Sequence, residues 1–219
     1  MLRRSKVFAI AGFIFSGLAL VFLIASFASP YWVESHRNVQ PSGFLRMGLW
    51  ESCFRNYYDT YQITNKRYDG CFTVVSYEFR ELRGRFIPTW FQAVEGMVTF
   101  SLILQACIVV INIIYFIHCF QIQTELYCIF GAAVANFICA FFLGVSTIMF
   151  GVRVGTDRQW LPEPDLNYLS WAYGFCILSA FLSLFGAMAM LTDFFRLRSQ
   201  AAYDSRGQSY AMSPNSYKY

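Results

Sequence analysis

The sequence predicts an all-α transmembrane four-helix bundle carrying a small extracellular antiparallel β-sheet formed by the first and second extracellular loops. Three observations predict it. The 219 residues are 57% hydrophobic and only 14% charged, well below the charge of a soluble domain of this size. The apolar residues are gathered into four blocks, 7–28, 96–117, 126–152 and 168–191, none of which holds Asp, Glu, Lys or Arg. The one long polar segment holds two strand-like stretches and a pair of cysteines.

Each block is long enough, at about 1.5 Å per residue, to cross a hydrocarbon core of roughly 30 Å. Helices are the form expected, because they satisfy their own backbone hydrogen bonds in lipid. The first block follows a short basic terminus, 1–6, with Arg3, Arg4 and Lys6. Its length exceeds the roughly 7–15 apolar residues of a signal-peptide core, which favours a retained span over 7–28. The first loop is 29–86, the second span with its outer approach 87–117, and a brief cytoplasmic turn 118–125. The third span is 126–152, the second loop 153–167, the fourth span 168–191 and the tail 192–219. That tail is polar, with few apolar residues to bury, and is expected to be disordered. Four spans put both termini on one side. The basic residues at the N-terminus, with Arg196 and Arg198 after the last span, place that side in the cytoplasm. The net charge of +4 is spread over loops and tails and is not a nucleic-acid signal.

Within the spans, small residues such as Gly12, Ser16, Gly17, Gly131 and Gly186 allow close helix approach. Gln105, Asn112 and Asn136 are amides that can bridge helices. Paired carboxylates, histidine chains and broken-helix repeats are missing from the spans, which argues against a proton relay or a secondary transporter. Trp32, Trp90 and Trp171 fall at the outer ends of spans one, two and four, where an indole favours the interface.

The loop 29–86 bears the chemistry. Residues 44–54 and 71–77 have strand-favouring composition, with turn-prone Asn65-Lys66 and Asp69-Gly70 between them. Residues 152–154 offer an edge strand ahead of the turn at 162–164, and 74–85 offers a short helix before span two. Of seven cysteines, Cys53 and Cys71 alone lie in the predicted exterior, where oxidation is allowed. A disulfide is the simplest account, and closing its loop is worth roughly 3 kcal/mol in the chain-entropy model. Metal binding is the weaker reading, with no histidine or third cysteine at ligand spacing. Cys107, Cys139 and Cys176 read as small apolar packers. Cys119 and Cys128 flank the cytoplasmic turn at membrane level, a position that suits S-palmitoylation and plain thiols equally.

Catalytic constellations are missing. His36 and His118 fall on opposite sides of the membrane, and the chain has neither a phosphate-binding glycine loop nor an H-E-x-x-H motif. No enzyme, no cofactor and no metal are expected. Glu95, at the outer edge of span two, reads first as a headgroup-level carboxylate and second as the partner of a loop arginine.

With Trp32, Gly48, Leu49, Trp50, Cys53 and Cys71 in place, the chain resembles the claudin superfamily. Members share four spans, a large first extracellular loop and a W…G-L-W…C…C pattern. Residues 91–95 (F-Q-A-V-E) are similar to the Q-A-A-R stretch opening the second claudin helix, and 168–172 (Y-L-S-W-A) to the L-Y-x-G-W-A stretch before the fourth. The likeness covers about residues 5–195. Three departures, the long Cys53–Cys71 insert, Glu95 in place of an arginine and the Tyr217-Lys218-Tyr219 ending, point to an invertebrate or divergent member.

The resemblance implies a plasma-membrane protein of epithelial cell–cell junctions, tight or septate. It would support adhesion and a paracellular barrier through homo- or hetero-oligomers with claudin-like proteins, in cis and in trans. The charges between the cysteines, Arg55, Asp59, Lys66, Arg67 and Asp69, are candidates for partner contact or an ion pathway. Their net of +1 is too small to set a selectivity. Tyr217, Lys218 and Tyr219 are a candidate ligand for a PDZ scaffold by strand addition. The alternatives are an auxiliary subunit of an ion channel or receptor, like the calcium-channel gamma branch, and a myelin-protein-like membrane organiser. No Asn-x-Ser/Thr acceptor occurs, so N-glycosylation is not expected.

Overall fold

The computed structural model describes residues 7–36, 43–58, 66–117 and 122–211. Among them the chain runs α1 (Val7–Ala28), β1 (Val33–Ser35), β2 (Phe44–Met47), β3 (Glu51–Tyr58), β4 (Arg67–Thr73), α2 (Arg80–Phe86), α3 (Thr89–Phe116) and α4 (Ile122–Thr156). A 3-10 turn (Pro164–Leu166), β5 (Asn167–Leu169) and α5 (Trp171–Ala211) complete it. The helices α1, α3, α4 and α5 are the four with the length and composition to cross a membrane.

The four helices meet mid-bundle around a satisfied polar hub. Gln105 of α3 donates from Nε2 to the Ser16 carbonyl of α1 at 3.1 Å and to Asn136 Oδ1 of α4 at 3.3 Å. Its Oε1 accepts from the Ser183 hydroxyl of α5 at 3.2 Å. Asn136 Oδ1 also accepts from the Ser16 hydroxyl at 3.4 Å, and its Nδ2 donates to the Ala132 carbonyl. A fully satisfied network of this kind fixes helix register, since any slip strands an amide in hydrocarbon. Close approach is needed to form it. A methyl on Gly12 would lie 2.8 Å from Met190 Cγ, and one on Gly186 would lie 3.0 Å from Ser16 Oγ. Asn112, the third amide, keeps a buried Nδ2 without a partner.

The sheet has the order β4-β3-β2-β1-β5 and is antiparallel throughout. Four strands come from the first inter-helix segment and β5 from the later one, which returns beside β1 with Val33 opposite Leu169. Its inner face and the bundle share one core. Val33, Phe44, Met47, Leu49 and Phe54 from the sheet pack in the same buried cluster as Phe79, Leu82 and Phe86, with Phe91, Leu143, Phe150 and Trp160 below. Phe54 is the hub of that cluster, its ring 5.3 Å from Phe86 and 5.0 Å from Tyr57. A second cluster, with Ile108, Ala132, Ala133, Met190 and Leu197, lies at the other end of the helices.

Several boundaries differ from those read in the sequence. Residues 44–54 are not one strand but β2 and β3, parted by the turn at Gly48-Leu49-Trp50, and α4 begins at Ile122, inside the turn expected over 118–125. Residues 152–154 are not an edge strand; they continue α4, whose last turn carries Arg153 against the helix dipole. The edge strand is β5 instead. The strand expected over 71–77 is β4, which stops at Thr73, where Ser76 turns the chain by bonding back to the Thr73 carbonyl through both its amide and its hydroxyl. The short helix before α3 starts only at Arg80. Finally, α5 does not stop at residue 191 but runs on to Ala211, where an irregular tail is expected from polarity. Phe194 stacks on Phe130 at 5.0 Å, and Leu197 is buried in the second cluster. Apolar residues at one helical face therefore carry the helix past the membrane, with no proline before residue 214 to stop it.

Candidate functional site

The sheet has one face committed to the bundle and one turned away. Register decides which residues share the free face. Tyr168, Glu34, Arg46, Cys53 and Cys71 are successive cross-strand neighbours over all five strands, and residues opposite one another point to the same side. The irregularity between Phe44 and Arg46 lets Phe44 and Met47 both point inward while Arg46 points out. The free face carries a recess of about 340 Å3 lined by Glu34, Arg46, Arg55, Asp69 and the two cysteines.

Cys53 and Cys71 are joined by a disulfide, S–S 2.05 Å, between directly paired residues of β3 and β4. Glu51 lies within 4.8 Å of both sulfurs, the spacing of a metal cluster. Both sulfurs are bonded to each other, however, and a disulfide has no thiolate to offer a metal.

The tryptophan and Gly-Leu-Trp positions explain how the face is held. Trp32 has no exposed surface. Its Nε1 donates to the Ser26 carbonyl at 2.9 Å, its backbone bonds Met47 and Ser170, and its ring meets Phe150 edge-on at 4.9 Å. It is a bolt between α1, β2, β5 and α4, more than an interfacial belt residue. Gly48 sits against the backbone at the end of α1. A Cβ there would collide with the Ser29 carbonyl oxygen and lie 2.6 Å from Pro30 Cα, so only glycine permits the approach. Leu49 is fully buried, and Trp50 lies 5.3 Å from Phe27 of α1. Together these residues seat the sheet on the helix ends.

Trp171 is half exposed on Tyr31 and Phe175. Trp90 packs on Trp160 at 4.8 Å and donates to Asp157 Oδ2 at 3.3 Å. Trp160, which the sequence did not single out, donates to the Phe86 carbonyl at 2.7 Å and ties the second loop to α2. Glu95 is 9% exposed, with a buried Oε1 lacking a partner, and Arg83 of α2 is the cation whose field reaches it.

Of the five charges between the cysteines, the structure brings Arg55 and Asp69 into the recess. Lys66 and Arg67 sit at the far end of the β3–β4 ladder, Lys66 over the Tyr68 ring at 5.4 Å and Arg67 opposite Tyr58. Asp59 lies outside the described residues, as do Cys119, His118 and the Tyr217, Lys218, Tyr219 ending; Cys128 is half-buried and unbridged. The residues that sequence reasoning missed are Glu34 and Arg46. Arg46 stacks its guanidinium on the Tyr31 ring at 4.4 Å and donates to the Tyr31 hydroxyl, while Glu34 accepts from the Ser170 hydroxyl at 3.3 Å. Both precede Cys53 and so fall outside the inter-cysteine insert. The signal that could have found them is strand alternation, which puts one charged residue between two buried ones in Trp32-Val33-Glu34-Ser35 and ahead of Met47.

The face offers fixed charges of both signs and two sheet edges, β4 and β5. Among the described residues it brings no nucleophile to a base, and His36 packs against Tyr168 at 4.8 Å.

The family pattern described as PMP-22/EMP/MP20/Claudin tight junction matches residues 17–192. That range takes in α1 from its middle, the whole sheet and α5 past mid-membrane. No curated protein matches the chain. The chain belongs to the PMP-22/EMP/MP20/claudin family of four-span membrane proteins.

Proposed function

We propose that this protein is a non-catalytic component of cell–cell junctions in the plasma membrane, with both termini cytoplasmic and the sheet in the intercellular space. The free face of the sheet meets claudin-like neighbours in the same membrane and across the gap, and the resulting rows support adhesion and a paracellular barrier. One observation carries the reading: a stapled five-stranded sheet shares a single core with the bundle, so its charged face and edges are held rigidly above the membrane. An exposed edge strand is a template for another chain. Glu34 and Asp69 balance Arg46 and Arg55 in the recess, which favours a barrier over a strongly ion-selective path. Acylation at Cys119 and Cys128 is part of the same proposal, as an inner-leaflet anchor.

The test is expression in cells that lack such junctions. Concentration at cell–cell contacts, with reduced paracellular flux of a small tracer, supports the proposal. Uniform surface distribution, with co-purification of a channel whose gating it alters, would move the assignment to an auxiliary subunit.

A further inference from the structure

At the end of the bundle opposite the sheet, α5 carries a recess of about 430 Å3 lined by Thr192, Phe195, Arg196, Ser199 and Gln200. These positions recur every three to four residues and so form one stripe of the helix. Depth follows from chain geometry. A hydrocarbon core of roughly 30 Å takes about 20 helical residues, and from Trp171 at the sheet-side boundary that count ends near residue 191. The stripe therefore stands in the opposite headgroup layer.

Arg196 is its centre. Its guanidinium lies over the Phe8 ring of α1 at 4.7 Å, a stacking that holds the planar fork in place, and Arg196 lines the recess. Among the described residues it has no acidic partner. Of the acids at this end whose side chains are described, Asp193 and Glu125 are each 4% exposed and turned into the bundle. Thr192, Ser199 and Gln200 add neutral donors on the same stripe, and Phe195, 54% exposed, supplies an apolar edge on the membrane side. In sequence, Arg3, Arg4 and Lys6 precede Phe8, and Arg198 follows Arg196.

We propose that the Arg196 groove binds the phosphate headgroup of an anionic phospholipid, with Phe195 against the upper acyl chain. Arginine suits this task because its fork pairs two phosphate oxygens, and a basic cluster at this depth draws anionic lipid. The orientation argued above decides only which leaflet supplies the lipid in a cell, so a symmetric bilayer separates the two ideas.

The experiment places the full chain in nanodiscs of phosphatidylcholine with about one-fifth spin-labelled phosphatidylserine or, in a parallel set, spin-labelled phosphatidylcholine. Wild type should immobilise the serine lipid in preference to the choline lipid. Arg196→Gln should cut that preference about fivefold, and Phe8→Leu, which keeps every charge, should cut it by about half. Arg198→Gln, off the stripe, should lose less than Arg196→Gln. Inorganic phosphate at millimolar concentration should not compete. Equal losses for the two arginine variants would reduce the effect to general surface charge and overturn the site. So would the absence of any lipid preference, or displacement by free phosphate. Circular dichroism of each variant checks that the bundle is intact.

Discussion

Gly48→Ala adds one methyl group and tests how the sheet is seated. The new Cβ would press on the Ser29 carbonyl oxygen, 2.6 Å from Pro30 Cα and 3.0 Å from the Ser29 carbonyl carbon. Ordinary contact needs 3.4 Å or more, and every one of these neighbours is backbone, so no side chain can swing away. Relief requires the β2–β3 turn to part from the end of α1. That turn is pinned by the Gly48 amide to the Glu51 carbonyl at 2.8 Å, and the segment after α1 by Trp32 to Met47 at 3.0 Å. Overpacking by one methylene costs typically 1–3 kcal/mol, and a backbone-only clash belongs at about 3 kcal/mol. For a chain of this length that lowers the melting temperature by about 6–12 °C. The control is Gly84→Ala in α2, which has open space within 4 Å and should stabilise by up to about 1 kcal/mol through helix propensity. The assay is thermal unfolding in detergent followed by tryptophan emission. A Gly48→Ala melt within a degree of wild type, or equal losses in both variants, would refute the close-seating argument.

Cys53→Ser should cost about 3 kcal/mol from the freed loop of 18-residue separation, and surface biotinylation should show most of the variant retained inside the cell. Gln105→Leu removes its bonds to Ser16, Asn136 and Ser183; at about 0.6 kcal/mol per bond in a membrane bundle the loss is about 2 kcal/mol, read from the same melt. Arg46→Gln leaves Glu34 and Asp69 facing Arg55 alone. If the free face borders the paracellular path, dilution potentials across monolayers should shift toward cations about twofold, the effect of a unit charge at about 8 Å in water.

The bundle was legible because hydrocarbon imposes long uncharged blocks, and each block lies almost wholly within one helix, with residues 168–170 of the last forming the end of β5 and the turn before α5. The disulfide was legible from the address of Cys53 and Cys71 alone. What the sequence hid depends on tertiary contact. Nothing local in Thr192–Ala211 announces a helix, because its amphipathic face is completed by Phe130 on another helix. Val152-Arg153-Val154 carries strand-favouring residues, yet a helix already propagating through 30 residues costs less to extend than to end. Glu34 and Arg46 were passed over for a similar reason. Each looks like an isolated surface charge until β1 and β2 pair and set them opposite one another.

That pairing changes what the inter-cysteine insert can be asked to do. Counting only Arg55, Asp59, Lys66, Arg67 and Asp69 treats the insert as the seat of selectivity, but two of these stand at the distant end of a ladder. The charges that share a recess come from four different strands, and their positions follow from the inner core. Trp32 fixes the backbone beside Glu34, the irregularity before Arg46 turns it outward, and Tyr31 clamps its guanidinium. A perturbation inside the core, at Trp32 or Phe54, should therefore alter the charge pattern outside without touching a charged residue. Trp32→Phe removes the bond to the Ser26 carbonyl at 2.9 Å and leaves a buried acceptor unpaired, a cost of about 1–3 kcal/mol. If the face is positioned as argued, Trp32→Phe should weaken barrier function in cells even among molecules that reach the surface. Unchanged tracer flux per surface molecule would mean that the outer face holds its geometry without the core beneath it.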